Sequence, residues 1–263
     1  MLNILGGLFS GFRLRDYKVF VWRLINLIYK EFGILIFVIL IPSVIKSMPL
    51  KNANPFELYP NGIIFNVLRN DEIVGKHRVS FVKLENNKFR TITQLNLQVN
   101  FLTFPIYKFD YKSDATWLNG NLISLRANQN DDGQNLIVKV SKKNNGLTIT
   151  TPDSKFWADL DDLPTNHWNA EVLTRDKVIN TLTGKLSSVI ITNLGKEKIV
   201  AQGKSIFGTK YKYTGDINTL VWYSDNGNWV KMQFKGNDGS KIDYDCIECG
   251  LGQIIKKDVK HRR

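Results

Sequence analysis

The sequence is poor in the residue types that build most metal, redox and catalytic sites. It has two cysteines and three histidines in 263 residues, and two cysteines are too few for a disulfide-built scaffold. It contains no H-E-x-x-H motif, P-loop, dinucleotide-binding fingerprint or G-x-S-x-G elbow. These are the usual signatures of metalloproteases, nucleotide-binding enzymes and α/β-hydrolases. The sequence therefore predicts no catalytic residue, no metal site and no cofactor.

The body of the chain also lacks an excess of charge of either sign. The formal net charge is +12, but residues 1–51 carry +5 and residues 256–263 carry +4, which leaves only +3 for residues 52–255. A nucleic-acid-binding domain is expected to carry its basic patch on the folded body. We therefore expect no nucleic-acid partner, and basic tails near lipid headgroups explain the same charges.

One stretch of the sequence is apolar enough to interact with a membrane as a helix, and the largely apolar residues 19–28 before it could extend that helix. The run Phe32–Ile45 has fourteen uncharged residues and follows five basic ones. This length fits the core of a secretory signal better than a spanning helix of about 20 residues. Residues 1–51 are predicted to be a cleaved signal or an uncleaved single-helix anchor, and a buried core helix is the third possibility. Both export readings place the rest of the chain outside the cytoplasm.

The body of the chain alternates apolar and polar residues with a period of two. In the segment Phe89–Phe101 the odd positions are mainly apolar and the even positions mainly polar. Such alternation, broken by turn residues every 8–12 positions, is typical of antiparallel strands with one covered face. We predict an all-β fold, an antiparallel curved sheet or barrel-like domain preceded by an N-terminal hydrophobic helix. The β domain covers residues 52–250, and residues 251–263 form a basic C-terminal tail.

Tight turns divide this pattern into strands. Asn145-Gly146, Asn226-Gly227 and Asp238-Gly239 can each supply the positive φ of a hairpin turn. The last two predict a three-stranded meander. The region 150–168 has irregular patterning and is expected to be a long connection, with one short helix near 170–178. The meander strands are Leu220–Ser224, Trp229–Lys235 and Lys241–Tyr244.

His77 is the candidate residue for a ligand cavity. In the strand pattern 73–81 it shares a face with Ile73, Val79 and Phe81, so it is expected to point inward. It is then either a hydrogen-bonded core histidine or the polar group of an otherwise apolar pocket. His167 falls on the long connection and is expected to be a half-exposed loop histidine.

Cys246 and Cys249 form the most chemically suggestive motif, a C-x-x-C following the last predicted strand. A thioredoxin-like site needs this motif at the start of a helix beside a βαβ unit, and no such unit is visible. A zinc site would need two more ligands. The pair is expected to form a local disulfide in an oxidising compartment, with free thiols and a redox role as alternatives.

Four stretches in order resemble the bacterial envelope family known as domain of unknown function 6134, across roughly residues 62–245. The resemblance implies an exported protein with an antiparallel, barrel-like domain, located in the periplasm or cell envelope. It implies no activity and transfers no catalytic residue. The matching stretches are 65–67 with 71–77 and Phe81, 115–122 with Ala127 and 131–133, 167–169 with 180–184, and 220–223 with Gly227, 229–231, 239–240 and Tyr244.

Three functions stay open on the sequence alone. The first is binding of an apolar ligand such as a lipid inside a curved sheet, because barrel mouths are common ligand sites. The second is an envelope scaffold or protein-interaction module, in which the same inward side chains simply fill the core. The third is an unrecognised hydrolase. Membrane association is expected through the N-terminal segment.

Overall fold

The computed structural model describes residues 54–252, so the predicted N-terminal helix and most of the basic tail lie outside the described residues. The described part is nearly all β. Its elements are α1 (Pro55–Leu58), β1 (Ile63–Arg69), β2 (Glu72–Lys83), β3 (Lys88–Phe101), β4 (Phe104–Leu118), β5 (Asn121–Asp131), β6 (Gln134–Lys143), β7 (Gly146–Thr150), β8 (Lys155–Asp159), β9 (Leu163–Pro164), a 3-10 helix (Ala170–Thr174), β10 (Lys177–Asn180), β11 (Lys185–Ala201), β12 (Lys204–Gly215), β13 (Thr219–Tyr223), β14 (Trp229–Lys235) and β15 (Lys241–Glu248).

The fifteen strands form one sheet in which the first and last strands are neighbours. The order runs from β8 down to β1, then from β15 down to β9. Every pair is antiparallel except β9 with β10. Phe65 of β1 lies opposite Cys246 of β15. Two meanders, β1–β8 and β10–β15, are thus joined along the middle of the sheet.

The two edges of this open sheet lie close together because the chain connects them directly. Edge strand β8 ends at Asp159, and the other edge strand, β9, begins at Leu163. Consecutive Cα atoms are at most about 3.8 Å apart, so these two residues can be no more than about 15 Å apart. A sheet whose opposite edges are so near must curl around on itself. The prediction of a curved antiparallel sheet is therefore confirmed.

Because successive strands run in opposite directions, the loops between them lie at two opposite ends of the barrel-like domain. The turns β1–β2, β3–β4, β5–β6 and β14–β15 share one end, which we call the hairpin end. Helix α1 and the C-terminal end of β15 share the other, which we call the terminal end. There Asn228 donates its side-chain N–H to the Leu58 carbonyl at 2.7 Å.

The centre of the curled sheet is filled by the chain itself. Residues 165–174, which we call the inserted segment, follow β9 and include the 3-10 helix. Trp168 packs edge-on against Trp117 of β4, with ring centroids 5.3 Å apart, and contacts rings of β2 and β3. Its neighbour His167 contacts Tyr213 of β12 and Trp229 of β14. A segment that touches opposite walls of the sheet must lie between them.

The expected long connection over 150–168 is only partly correct. It holds the short strands β8 and β9 and the start of the inserted segment, and it buries His167 and Trp168. The expectation of a half-exposed His167 is therefore wrong. Two backbone carbonyls fix the segment, since Tyr59 donates to that of Trp168 at 3.1 Å and Tyr223 to that of His167 at 2.9 Å.

The predicted meander matches β13, β14 and β15, and Gly227 and Gly239 have the positive φ that their turns require. The third turn works differently. There Asn144 takes the positive φ, while Gly146 lies against the Trp157 ring, where a Cβ atom would collide. Glycine is needed at that position for close packing rather than for its backbone conformation.

Candidate functional site

His77 lies on the inner face of β2, as the alternation predicts. It stands opposite Phe65 of β1 and Leu95 of β3. Its ring meets those of Trp229 and Tyr244 edge-on, with centroids 5.4 and 5.5 Å apart. The residue is partly exposed as a whole, but both ring nitrogens are buried and have no hydrogen-bond partner in the structure. The simple interpretation of a hydrogen-bonded core histidine therefore does not describe it.

His167 approaches the same indole from the inserted segment. Its ring centroid is 5.3 Å from that of Trp229 and 5.7 Å from that of Tyr213. Its Nδ1 atom is buried without a partner, as is the Tyr213 hydroxyl. Sequence reasoning missed this pair of histidines around one tryptophan, because the two residues are ninety positions apart and on different elements.

More unpartnered polar atoms lie on the inner face of the neighbouring strands. Thr93 and Ser113 stand opposite each other in β3 and β4, are almost completely buried, and leave both hydroxyl oxygens without partners. Gln129 of β5 adds an unpartnered carbonyl oxygen. Such atoms are unusual, because burying a polar group without a partner costs about 1–3 kcal/mol. We call six of these residues the central polar cluster, for the buried unpartnered atoms that they share rather than for contacts among all of them; Asn166 and Trp168 of the inserted segment also have such atoms. The six are His77, Thr93, Ser113, Gln129, His167 and Tyr213.

Burial keeps the central polar cluster uncharged. It lowers the pKa of His77 to about 3, with a further contribution from nearby His167, and lowers the pKa of His167 to about 4. Burial also raises the pKa of Tyr213, with a smaller contribution from Tyr211. At neutral pH the cluster can donate and accept hydrogen bonds as neutral groups. Within residues 54–252, no group of three His, Cys, Asp or Glu side chains could hold a metal ion.

Cys246 and Cys249 are joined in a disulfide at the terminal end, with Cα atoms 6.1 Å apart. Both are buried beside the β11–β12 turn. The backbone N–H of Gln202, in that turn, donates to the Cys246 carbonyl at 2.9 Å, and its side-chain oxygen accepts from the Leu251 N–H at 2.7 Å. The motif therefore fastens the end of β15 to its neighbours.

The β3–β4 hairpin continues beyond the point where its pairing with both neighbouring strands ends, although β2 itself runs on to Glu72, paired there only with β1. Pairing with β2 ends at Leu97, and on the other side the last hydrogen bond joins the Asp132 N–H to the Lys108 carbonyl. We call residues 98–107 the projecting hairpin. From Leu97 to Phe101 it rises about 14 Å at about 3.4 Å per residue. Sequence reasoning missed this projection, because the alternation in β3 continues unchanged past the point where its pairing with β2 stops.

The faces of this hairpin differ strongly. The inner positions pair apolar residues with one another from the core outward, and we call these eight residues the apolar strip. The outer positions pair Gln94, Asn96 and Gln98 with charged residues. The pairs of the apolar strip are Leu95 with Tyr111, Leu97 with Phe109, Val99 with Tyr107, and Phe101 with Phe104.

Two depressions of the described surface have volumes of about 360 and 330 Å³ and share Asn96 and Asp110 of the outer face. The first is lined mainly by amide and charged side chains of β3–β6. The second also includes Val74 and Gly75 of β2 and Leu97 of β3. They are wide open to solvent and do not resemble the enclosed apolar pocket that the ligand hypothesis places at His77.

Comparison with known proteins identifies the family. The family model for a domain of unknown function, DUF6134, matches residues 65–247. The chain belongs to this family. The DUF6134 match includes every strand from β2 to β14, His77 and the first cysteine of the disulfide. It carries no assigned activity.

A solved structure gives an independent view of the DUF6134 fold. The chain is similar to a β-barrel-like protein of the domain of unknown function DUF1849 from Brucella abortus. The TM-score is 0.52 at 9% identity, and the match covers 73% of this chain and 98% of that one. At this identity the similarity shows the fold alone. No curated protein matches the sequence. Within residues 54–252, no helix is long and apolar enough to cross a membrane.

Proposed function

We propose that this protein is an exported, non-enzymatic binding protein of the bacterial cell envelope that takes an apolar molecule such as a lipid. The proposed position of the ligand is the apolar strip at the hairpin end. The observation that carries the proposal is the gradual exposure of this strip, from Leu95 and Tyr111 in the core to Phe101 and Phe104, which are 66% and 70% exposed. A continuous apolar surface that leaves the core and enters solvent can hold an apolar chain.

The filled centre argues for this position rather than one beside His77. Trp168 and Trp229 are almost completely buried there and occupy the space that an enclosed ligand would need. His77 stays a candidate for the inner end of the site, where its unpartnered nitrogens could meet a polar group. Export is supported by the basic and apolar N-terminal sequence and by the disulfide, which is typical of oxidising compartments. Association with the inner membrane through residues 1–51 is part of the same proposal.

Native mass spectrometry of the exported chain, recovered from bacterial cells without detergent, tests ligand binding. We expect a reproducible adduct with the mass of a lipid or another small apolar molecule. Val99→Asn, which places an amide in the apolar strip, should reduce the adduct at least severalfold. Gln98→Asn changes the opposite face of the same strand and is the matched control. A bare protein mass in every preparation would contradict the proposal.

A second candidate function is a protein-interaction module without a ligand site, and the filled barrel centre favours it. It predicts no adduct and instead an envelope protein that co-purifies with the chain. Loss of that partner on changes at the hairpin end, with no small molecule bound, would favour this function over ligand binding.

A further inference from the structure

The tip of the projecting hairpin presents large apolar side chains to solvent. Phe101, Leu102, Phe104 and Ile106 are all more than half exposed, and Leu102 reaches 83%. No charged residue occurs anywhere in residues 98–107. We call these four residues the hairpin tip. Large apolar residues concentrated at one exposed turn mark a contact site rather than ordinary surface.

The backbone conformation at the tip is a second, independent indication of a contact site. Leu102 has a φ of 55°, a conformation that bulky side chains rarely adopt. Nine non-glycine residues of the described range have positive φ, and the other eight are Asn, Asp or Gln. An asparagine at position 102 would fit both the exposure and the backbone better. Leu102 is both exposed and at positive φ, against the usual preference of leucine for burial and for negative φ. Such departures are typical of functional positions.

We propose that the hairpin tip inserts into the surface of a lipid bilayer. The exposed area of the four side chains is on the order of 500 Å², taking about 200 Å² for each large side chain. A stable protein interface buries about 800 Å² on each partner, and a narrow two-stranded hairpin cannot supply the remainder. Insertion into lipid needs no complementary surface, because the apolar groups only have to leave water.

The structure also limits how deep the insertion goes. Beyond Leu97 and Lys108 the outer backbone edges of the hairpin are not paired with β2 or β5. Unpaired N–H and C=O groups are costly in the hydrocarbon region. The tip therefore enters only the boundary between headgroups and acyl chains, about 5–10 Å deep. Tyr107, next along the strand, is a residue type that favours that boundary.

Electrostatic attraction contributes little to this contact. Lys108 follows the hairpin, but Asp131 and Asp132 lie beside Tyr107, and burial together with these carboxylates raises the pKa of Tyr107 to about 12. Cationic and acidic groups thus offset each other at the base of the hairpin. We expect insertion into phosphatidylcholine bilayers to be as strong as into anionic ones and to change little with salt.

A polarity-sensitive dye on the tip of the full chain tests the inference. Both cysteines of the described range are in a disulfide, so Thr103→Cys supplies one reactive thiol between Leu102 and Phe104. With phosphatidylcholine vesicles we expect a blue shift and a severalfold rise in emission. The same dye at Asn135→Cys, in β6 beside the β5–β6 turn of the same end, should not respond. Both labelled variants carry residues 1–51, so a response at position 103 without one at position 135 cannot come from membrane binding through that segment alone.

Two variants on the Thr103→Cys background separate function from folding. Leu102→Asn should abolish the emission change while leaving the unfolding midpoint equal or higher. Phe207→Ser removes an apolar side chain that is also 63% exposed, on β12, and should leave the emission change intact. A dye at position 103 that does not respond to phosphatidylcholine or anionic vesicles would overturn the inference. A change in dye emission that appears in buffer without vesicles as the protein concentration rises would also overturn the inference. It would mean that a second copy of the chain covers the tip.

This inference rests on the proposed envelope location but not on a bound ligand. The two can therefore fail separately. A lipid adduct without a vesicle response would leave ligand binding standing and remove the inserted tip. A vesicle response without an adduct would do the reverse.

Discussion

The barrel centre and the hairpin tip depart from ordinary protein architecture in opposite ways. At the centre, polar atoms of His77, His167 and Tyr213 are buried among aromatic rings without partners. At the tip, Leu102 and Phe104 are exposed beside a polar outer face. At the centre, packing removes polar atoms from water without giving them hydrogen bonds. At the tip, large apolar side chains stay in water instead of being buried. Stability should therefore depend on the first region, and contact with other molecules on the second.

The largest effect that separates the two regions is expected at the inserted segment. Trp168→Ala removes a side chain that is 1% exposed and packed between the walls, and such truncations cost about 3–5 kcal/mol. Urea unfolding of the variant measures the loss. Phe207→Ala, at a phenylalanine that is 63% exposed, is the control and should cost less than about 1 kcal/mol. Equal losses at the two positions would mean that the segment does not support the barrel.

Acid should destabilise the centre by the next largest amount. The pKa of His77 is about 3 and that of His167 about 4 in the folded state, both below the ordinary value. The unfolded chain therefore binds more protons, and stability present above about pH 6.5 is lost as the pH falls toward these values. At about 1.4 kcal/mol per pH unit, each histidine costs roughly 2 kcal/mol by pH 5.

Urea unfolding between pH 7 and pH 5 measures this loss. His77→Phe keeps the shape of the ring and should remove about half of the acid-dependent loss. At neutral pH it should be neutral or stabilising, because an unpartnered polar group is replaced by an apolar one. A clear loss at neutral pH would instead indicate that the His77 nitrogens bind something in solution.

Much of the fold could be predicted from the sequence because the relevant signals are local. The alternation in Phe89–Phe101 and the turns at Gly227 and Gly239 identify the antiparallel strands and the last meander. The pairing of β1 with β15 and the path of the inserted segment could not be predicted. Both depend on contacts between distant residues, which leave no period or motif in one sequence.

The candidate site was less predictable for the same reason. The alternation indicates that His77 points inward, but not that His167 meets the same indole or that the nitrogens lack partners. The apolar residues after Leu97 look like the continuation of a core strand. Only the points where pairing with β2 and β5 ends reveal that Phe101 and Leu102 leave the sheet.

A smaller loss of stability is expected when the disulfide is opened. The Cys246–Cys249 bond closes a very short loop, for which the chain-entropy relation gives about 2 kcal/mol. Unfolding with and without a reductant, at matched pH, measures the difference. The double variant Cys246→Ser/Cys249→Ser should match the reduced protein and show no response to reductant. An unchanged midpoint on reduction would mean that the contacts of Gln202 alone hold the end of β15.

The smallest effect should have the opposite sign and belongs to the tip. Leu102→Asn relieves the positive φ of a bulky residue and loses almost no buried area, so we expect a stabilisation of about 0.5–1 kcal/mol. Thermal unfolding of the variant measures it. Val200→Asn, at an apolar residue that is 66% exposed within β11, has no such strain to relieve and should not stabilise. A destabilised Leu102→Asn variant would mean that this leucine packs against the domain in solution.

The pairing of β1 with β15 has a consequence for when the domain can form. Phe65 finds its partner Cys246 only about 180 residues later in the chain, so the sheet cannot close until its last strand is available. Contacts at such sequence separation make folding slow. The joining of the two meanders is therefore a late step in folding, after the strands within each meander can already pair with their sequence neighbours. The last strand, β15, joins the two meanders, and removing it should leave β1 with an unpaired edge on one side.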